Sequence, residues 1–119
     1  MITKLKPNQI FIFGSNLAGI HAGGAAKFAK DNFGAIEGVG SGRTGQCYAF
    51  PTLDENLNQR TREDLEKSVI GLYEYCEGNK DQKFLLTPVG TGIAGYSVEE
   101  MKSLFTNPPK NLILPKEFI

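Results

Sequence analysis

Apolar residues gather along this chain in short, dense runs, and their spacing changes from one run to the next. Ile10-Phe11-Ile12-Phe13 is an unbroken run of β-forming residues between Asn8-Gln9 and Gly14, the pattern of a strand covered on both faces. Beyond it, Ala25, Ala26, Phe28 and Ala29 fall at helical spacing while Lys27 and Lys30 turn outward. This predicts a helix of about two to three turns that starts near Gly23 and stops at Gly34. The interval Gly34 to Gly45 holds five glycines with Ser41, Arg43 and Thr44 among them, too few apolar side chains for a core of its own, and reads as a loop.

Gln46 to Phe50 predicts a second strand that ends at Pro51, which has no N–H to give to a central ladder, and Thr52 to Arg60 reads as polar loop. Thr61 and Asp64 have the spacing of an N-cap with an acidic first turn. Leu65, Val69, Leu72, Tyr73 and Cys76 then repeat at i, i+4, i+7, i+8 and i+11, so the longest helix runs to Gly78. Gly71 inside it costs about 1 kcal/mol against alanine, which close packing on a neighbour would explain. Phe84 to Val89 reads as a third strand, with Pro88 as a strain on that reading. Ser97-Val98-Glu99-Glu100 spells a capping box for a helix to Phe105. Asn107-Pro108-Pro109 is a turn, and Asn111 to Leu114 a last strand. Strands and helices alternate throughout. The expectation is an α/β protein: a single domain over residues 1–119, built as a three-layer α/β/α sandwich around a mixed, largely parallel sheet.

Composition narrows the function. At 119 residues, 40% hydrophobic and 22% charged, the chain fits one globular domain and holds no apolar run long enough for a membrane span. Thirteen basic residues balance thirteen acidic ones, so no overall field gathers polyanions and nucleic acid is disfavoured as a partner, although a local anion site stays open. Cys47 and Cys76 are far apart and His21 is the only histidine, so neither a metal site nor a metal cofactor is expected. The amino-terminal residues have lysines but no apolar export segment behind them, which points to the cytoplasm and to reduced thiols. Nine of the fourteen glycines fall between Gly14 and Gly45, a crowding that asks for a local reason.

In α/β sheets, ligands sit at the carboxyl ends of strands, where helix N-termini present free N–H groups and a positive dipole end to anions. Two glycine-rich stretches occupy such junctions, Gly14 to Gly24 after the first strand and Gly90 to Gly95 after the third. Glycine lets amides approach a phosphate with no Cβ in between, and each charge-assisted bond of that kind adds about 1.5 to 3 kcal/mol. Turn formation and helix–sheet packing are the alternative account of the same glycines. Neither stretch ends in the Gly-Lys-Ser/Thr of a nucleotide triphosphatase, and neither has the dinucleotide fingerprint with an acidic residue about 20 positions on.

In order and pattern the chain resembles the macro domains, which bind ADP-ribose and in some members hydrolyse ADP-ribosyl linkages. The resemblance rests on Gly14-Ser15-Asn16 before a glycine pair and an alanine-rich helix, on Thr44-Gly45-Gln46-Cys47-Tyr48-Ala49, and above all on Thr91-Gly92-Ile93-Ala94-Gly95-Tyr96, which is similar to that family's phosphate loop. It extends from Ile10 to Leu114 and has the shortness of divergent bacterial or phage members. It implies that Gly23, Gly24 and Ala25 line one side of a diphosphate and distal ribose, and Thr91, Gly92, Ile93, Ala94 and Gly95 the other, with Gly14 and Ser15 also among the ligand-binding residues. Asn16 would face the distal ribose and, in a hydrolytic member, position a water. His21 is a second catalytic candidate, and Tyr96 would stack on the ligand or serve as a core aromatic. One departure is plain: Met1 to Phe13 contains no Asp or Glu, where the family reads adenine with an acidic residue.

Among single residues, Arg43 is either a phosphate clamp or a solvated arginine, and the two cysteines read as small core hydrophobes. Ser15 lacks the flanking glycines of a nucleophile elbow, and Asp54 reads as a turn former. Three readings follow. The chain binds ADP-ribose or a related nucleotide diphosphate, with hydrolysis of an ADP-ribosyl derivative left open; it reads such a nucleotide or an ADP-ribosylated protein without turnover; or, ranked last, it holds single-stranded or terminal nucleic acid in the same cradle.

Overall fold

The computed structural model describes residues 2–119; Met1, the first residue of the segment read for acidic groups and export signals, lies outside them. The apolar run grows into β1 (Gln9–Asn16), the central strand. Helix α1 (Gly24–Asn32) follows, then β2 (Gly42–Thr44), β3 (Cys47–Leu53), α2 (Arg62–Glu77), β4 (Lys83–Leu86), α3 (Val98–Lys102) and β5 (Leu112–Ile113), with a closing 3-10 turn at Lys116–Phe118. The sheet order is β2-β3-β1-β4-β5. β1 pairs in parallel with β3 and β4, β4 pairs in parallel with β5, and only the β2–β3 pair is antiparallel.

The fold is therefore α/β with a mixed, mostly parallel five-stranded sheet between helical layers. On one face Phe11, Phe13, Cys47 and Ala49 pack against Ala26, Ala29 and Phe33 at α1. On the other, Ile10, Ile12, Phe50, Phe84 and Leu86 meet Leu65, Val69, Leu72 and Cys76 of α2, together with Met101, Leu104 and Phe118. The unbroken apolar run in β1 is explained by this double coverage, because successive side chains supply two separate cores.

Five local expectations need correction. The Gly34–Gly45 loop contains β2, whose three residues pair with Cys47–Ala49, so the sheet has five strands and not four. β3 does not end at Pro51 but runs on to Leu53. Phe11 N donates to Gln46 O, so in the parallel ladder Cys47, Ala49 and Pro51 turn their polar groups away from β1 up to the register shift that follows Pro51, and Arg60 Nη1 donates to Pro51 O from that outer side. Since β2 stops opposite Ala49, the missing N–H of Pro51 breaks no ladder bond. β4 ends at Leu86, ahead of Pro88, and α3 is a single turn that ends at Lys102, not Phe105. Gly71 lies exposed on α2, and a Cβ there would meet nothing within 4 Å, so close packing does not account for it.

The two cap signals hold. Thr61 accepts a hydrogen bond from Asp64 N, and Ser97 and Glu100 form a reciprocal capping box.

Candidate functional site

β1 leaves the sheet toward α1 on one face, while β4 leaves toward α3 on the other. The connections of two neighbouring parallel strands thus part at their carboxyl ends, which is where α/β sheets open a crevice. A cleft of about 600 Å³ lies there, within the usual size range of a ligand pocket.

Its floor is the end of β1, Gly14, Ser15 and Asn16, with Thr52 and Leu53 from the end of β3. One wall is the start of α1, Ala22 to Ala26, and the other is the segment from Thr87 to Ala94 without Thr91. Ile20 and Leu57 complete the rim. Both glycine-rich stretches therefore face the same cavity. Of the expected site residues, Gly14, Ser15, Asn16, Gly23, Gly24, Ala25, Gly92, Ile93 and Ala94 line it.

The N-terminus of α1 differs from the other two. α2 and α3 have side-chain caps and two acidic residues each in their first turns; α1 has Gly23 as N-cap, no side-chain cap bond and no acidic residue in its first turn. The first bond into this helix is Lys27 N to Gly23 O at 3.2 Å, and among the described residues nothing accepts from the N–H groups of Gly24, Ala25 and Ala26. Four unpaired amides and a positive dipole end thus face the cleft if Gly23 is counted with them.

The opposite wall has the same property. Gly95 N donates to Gly92 O and Tyr96 N to Gly90 O, each at 3.0 Å, closing a tight turn with positive φ at Gly90 and Gly95. Between those bonds the N–H groups of Thr91, Gly92, Ile93 and Ala94 have no acceptor among the described residues, and the last three of these residues line the cleft. Thr91 Oγ1 bonds back to Pro88 O at 2.7 Å, so Thr91 shapes the turn and does not line the cleft, and the same is true of Gly95.

Two of the lining glycines are not explained by the fold. Gly23 has an extended φ of −161°, Gly92 has no positive φ, and a Cβ on either would meet no protein atom within 4 Å. Elsewhere glycine is enforced. A Cβ at Gly40 would lie 2.1 Å from Asn16 O, and one at Gly19 would lie 2.3 Å from the Gly38 carbonyl carbon.

The catalytic candidates are otherwise engaged. Asn16 uses both ends of its amide on one residue: Nδ2 donates to Ile20 O at 2.9 Å and Oδ1 accepts from Ile20 N at 3.0 Å. It clamps the turn that leads to α1. His21 is 1% exposed and does not line the cleft. Its Nε2 lies 3.1 Å from both Ile36 O and Val39 O, so that nitrogen carries the proton, and the ring meets Phe13 edge-on. It is a core histidine of the α1 side, not a base facing a ligand. Tyr96 packs against the larger core and its hydroxyl donates to Arg60 O, which fits the core role and not stacking.

The remaining candidates resolve in the same way. Ser15 Oγ donates to Gly40 O at 2.5 Å, and Arg43 is spent on Gln82 and Gly45 O, away from the cleft. Asp54 Oδ1 accepts from Asn56 N and Asn58 N, the turn that was expected. Both cysteines are buried; burial raises the Cys47 thiol and pushes that of Cys76 up to about 12, so neither is a ready nucleophile. Among the described residues no group of three or more His, Cys, Asp or Glu could hold a metal ion.

Of the lining, Ile20, Ala22 and Gly90 lie within the two glycine-rich stretches without being singled out as site residues, and sequence reasoning missed Ala26, Thr52, Leu53, Leu57 and Thr87 to Val89. Thr52 and Leu53 were hidden by ending β3 at Pro51. Leu57 gave no signal at all, being one apolar residue in a polar loop. No side chain that lines the cleft is titratable. Compared with protein-family models, with curated proteins and with solved structures, the chain matches none.

Proposed function

We propose that this chain binds ADP-ribose or a related nucleotide diphosphate, with the pyrophosphate between the start of α1 and the Gly90–Ala94 turn. The observation that carries the reading is the pair of amide-rich walls on one cleft, each with a glycine, Gly23 or Gly92, that nothing in the protein requires. Backbone donors are a natural partner for phosphate oxygens, and at about 1.5 to 3 kcal/mol per charge-assisted bond a few suffice for micromolar affinity. Because the anion is held by peptide groups and a helix end, no excess of basic residues is needed, in keeping with the zero net charge.

Within that reading, binding without turnover is the better supported form. General acid–base catalysis needs a titratable group within hydrogen-bond reach of the reacting atoms, and the lining offers none. Asn16 is committed to Ile20, and His21 faces away. The protein then acts as a reader of a nucleotide or of an ADP-ribosylated partner.

Calorimetry with ADP-ribose and AMP is the test, with ADP-ribose expected to bind at least about tenfold more tightly. Equal affinities would overturn the reading. Gly92→Val should abolish binding with the melting temperature unchanged, because the new side chain meets only the space meant for ligand. On incubation with ADP-ribosylated protein, capture without release of ADP-ribose is expected, and any release would overturn the reader.

A further inference from the structure

Three exposed aliphatic residues line the cleft, Ile20, Leu57 and Ile93, and the last two sit on loops that are tied to each other. Ile93 is 94% exposed and Leu57 is 49% exposed, and both line the cavity. Leu57 also has a φ of +64°, the left-handed region that a branched, bulky residue adopts only under strain. The loop around it is built to hold that conformation: Leu57 N donates to Asp54 O, Asp54 N to Asn58 O, and Asp54 Oδ1 takes the N–H groups of Asn56 and Asn58. Gln59 Nε2 then donates to Ala94 O at 2.9 Å, which ties this loop to the one that presents Ile93. Strain retained at an exposed position beside a cavity points to use by a ligand.

What these two side chains can recognise is set by their chemistry. Aliphatic side chains pack on the faces of a flat ring and offer no hydrogen bond to its edge, and the polar side chains that line the cleft, Ser15, Asn16, Thr52 and Thr87, each already donate to a backbone carbonyl. We infer that Leu57 and Ile93 grip the base of the bound nucleotide by its faces, so that the protein selects diphosphates bearing a planar ring without choosing among bases. This rests on the nucleotide-diphosphate reading above, and it assigns the substrate class as nucleoside diphosphates in general.

The experiment is calorimetry of the wild-type chain with ADP, GDP, CDP, UDP and inorganic pyrophosphate, repeated on Leu57→Gly and Ile93→Ser. The four nucleotides should agree within about threefold, and pyrophosphate should bind at least about tenfold more weakly, the scale of one base stacked on a side chain. Leu57→Gly should bring every nucleotide toward the pyrophosphate value while the melting temperature rises, since glycine removes the strain at φ +64°. Ile93→Ser should weaken the nucleotides with the melting temperature unchanged. A preference above about tenfold for one base, pyrophosphate as tight as the nucleotides, or wild-type affinity in both variants would overturn this inference and leave the diphosphate reading standing. Failure of all five probes to bind would overturn that reading and this inference with it.

Discussion

Glycine does two different jobs in two neighbouring regions of this molecule. Behind the end of β1, Gly19 and Gly40 let two stretches of backbone touch, and a methyl group at either would lie inside another peptide unit. At the cleft, Gly23 and Gly92 touch nothing and have no conformation that demands them. The sequence letters are the same in both places. What separates them is whether the space beside the Cα is already filled by the chain, and the empty cases fall on the two walls of one cavity. Glycine content alone therefore points to backbone exposure, and only the neighbours of each Cα tell whether the protein itself or a ligand makes use of it.

The sharpest way to break this contrast is Gly40→Ala. With the new Cβ 2.1 Å from Asn16 O the backbone must move, and the loss of stability should reach about 3 kcal/mol or more by denaturant titration. If Gly40→Ala melts like the wild type, the crowded region is not crowded. Ser15→Ala, which removes the buried bond to Gly40 O, should cost about 1 to 3 kcal/mol in the same measurement because the carbonyl is left unpaired. Gly23→Ala should leave the unfolding free energy within about 0.5 kcal/mol of wild type and weaken ADP-ribose. A control outside both regions is Gly71→Ala on the open face of α2, which should stabilise by about 0.5 to 1 kcal/mol.

The smallest effect is electrostatic and separates the capped helices from the uncapped one. Glu100 accepts from Ser97 N at 2.9 Å, and that backbone bond, with the Ser97 side chain, holds its carboxyl below the ordinary 4.5. A depressed folded value means that the capping box contributes fully above pH 4.5 and is lost as pH falls through the lower folded value. Glu100→Gln should flatten the acid limb of the melting-temperature profile slightly. α1 has no such carboxylate at its start, so its first turn adds nothing to that limb.

The parts of the fold that could be read in advance are those fixed by nearest neighbours in sequence. The Ile10–Phe13 run, the Thr61 cap and the Ser97–Glu100 box are local signals, and each formed as its residues suggest. β2 could not be read, because Gly42-Arg43-Thr44 becomes a strand only through the partner that folds back on it. Pro51 misled for the same reason: whether a missing N–H breaks a ladder depends on which side of the strand lacks a neighbour. At the site, the two glycine walls were visible as composition, whereas the burial of His21 and the commitment of Asn16 to Ile20 are consequences of a turn whose path no spacing encodes.

The floor of the cleft belongs to the strand at the middle of the sheet, flanked by a partner on each side and buried against both helical layers. A cleft rooted there has no hinge of its own. Binding of the proposed nucleotide should register as slower amide exchange across the entire sheet and a later collective unfolding, not as the stiffening of a separate flap.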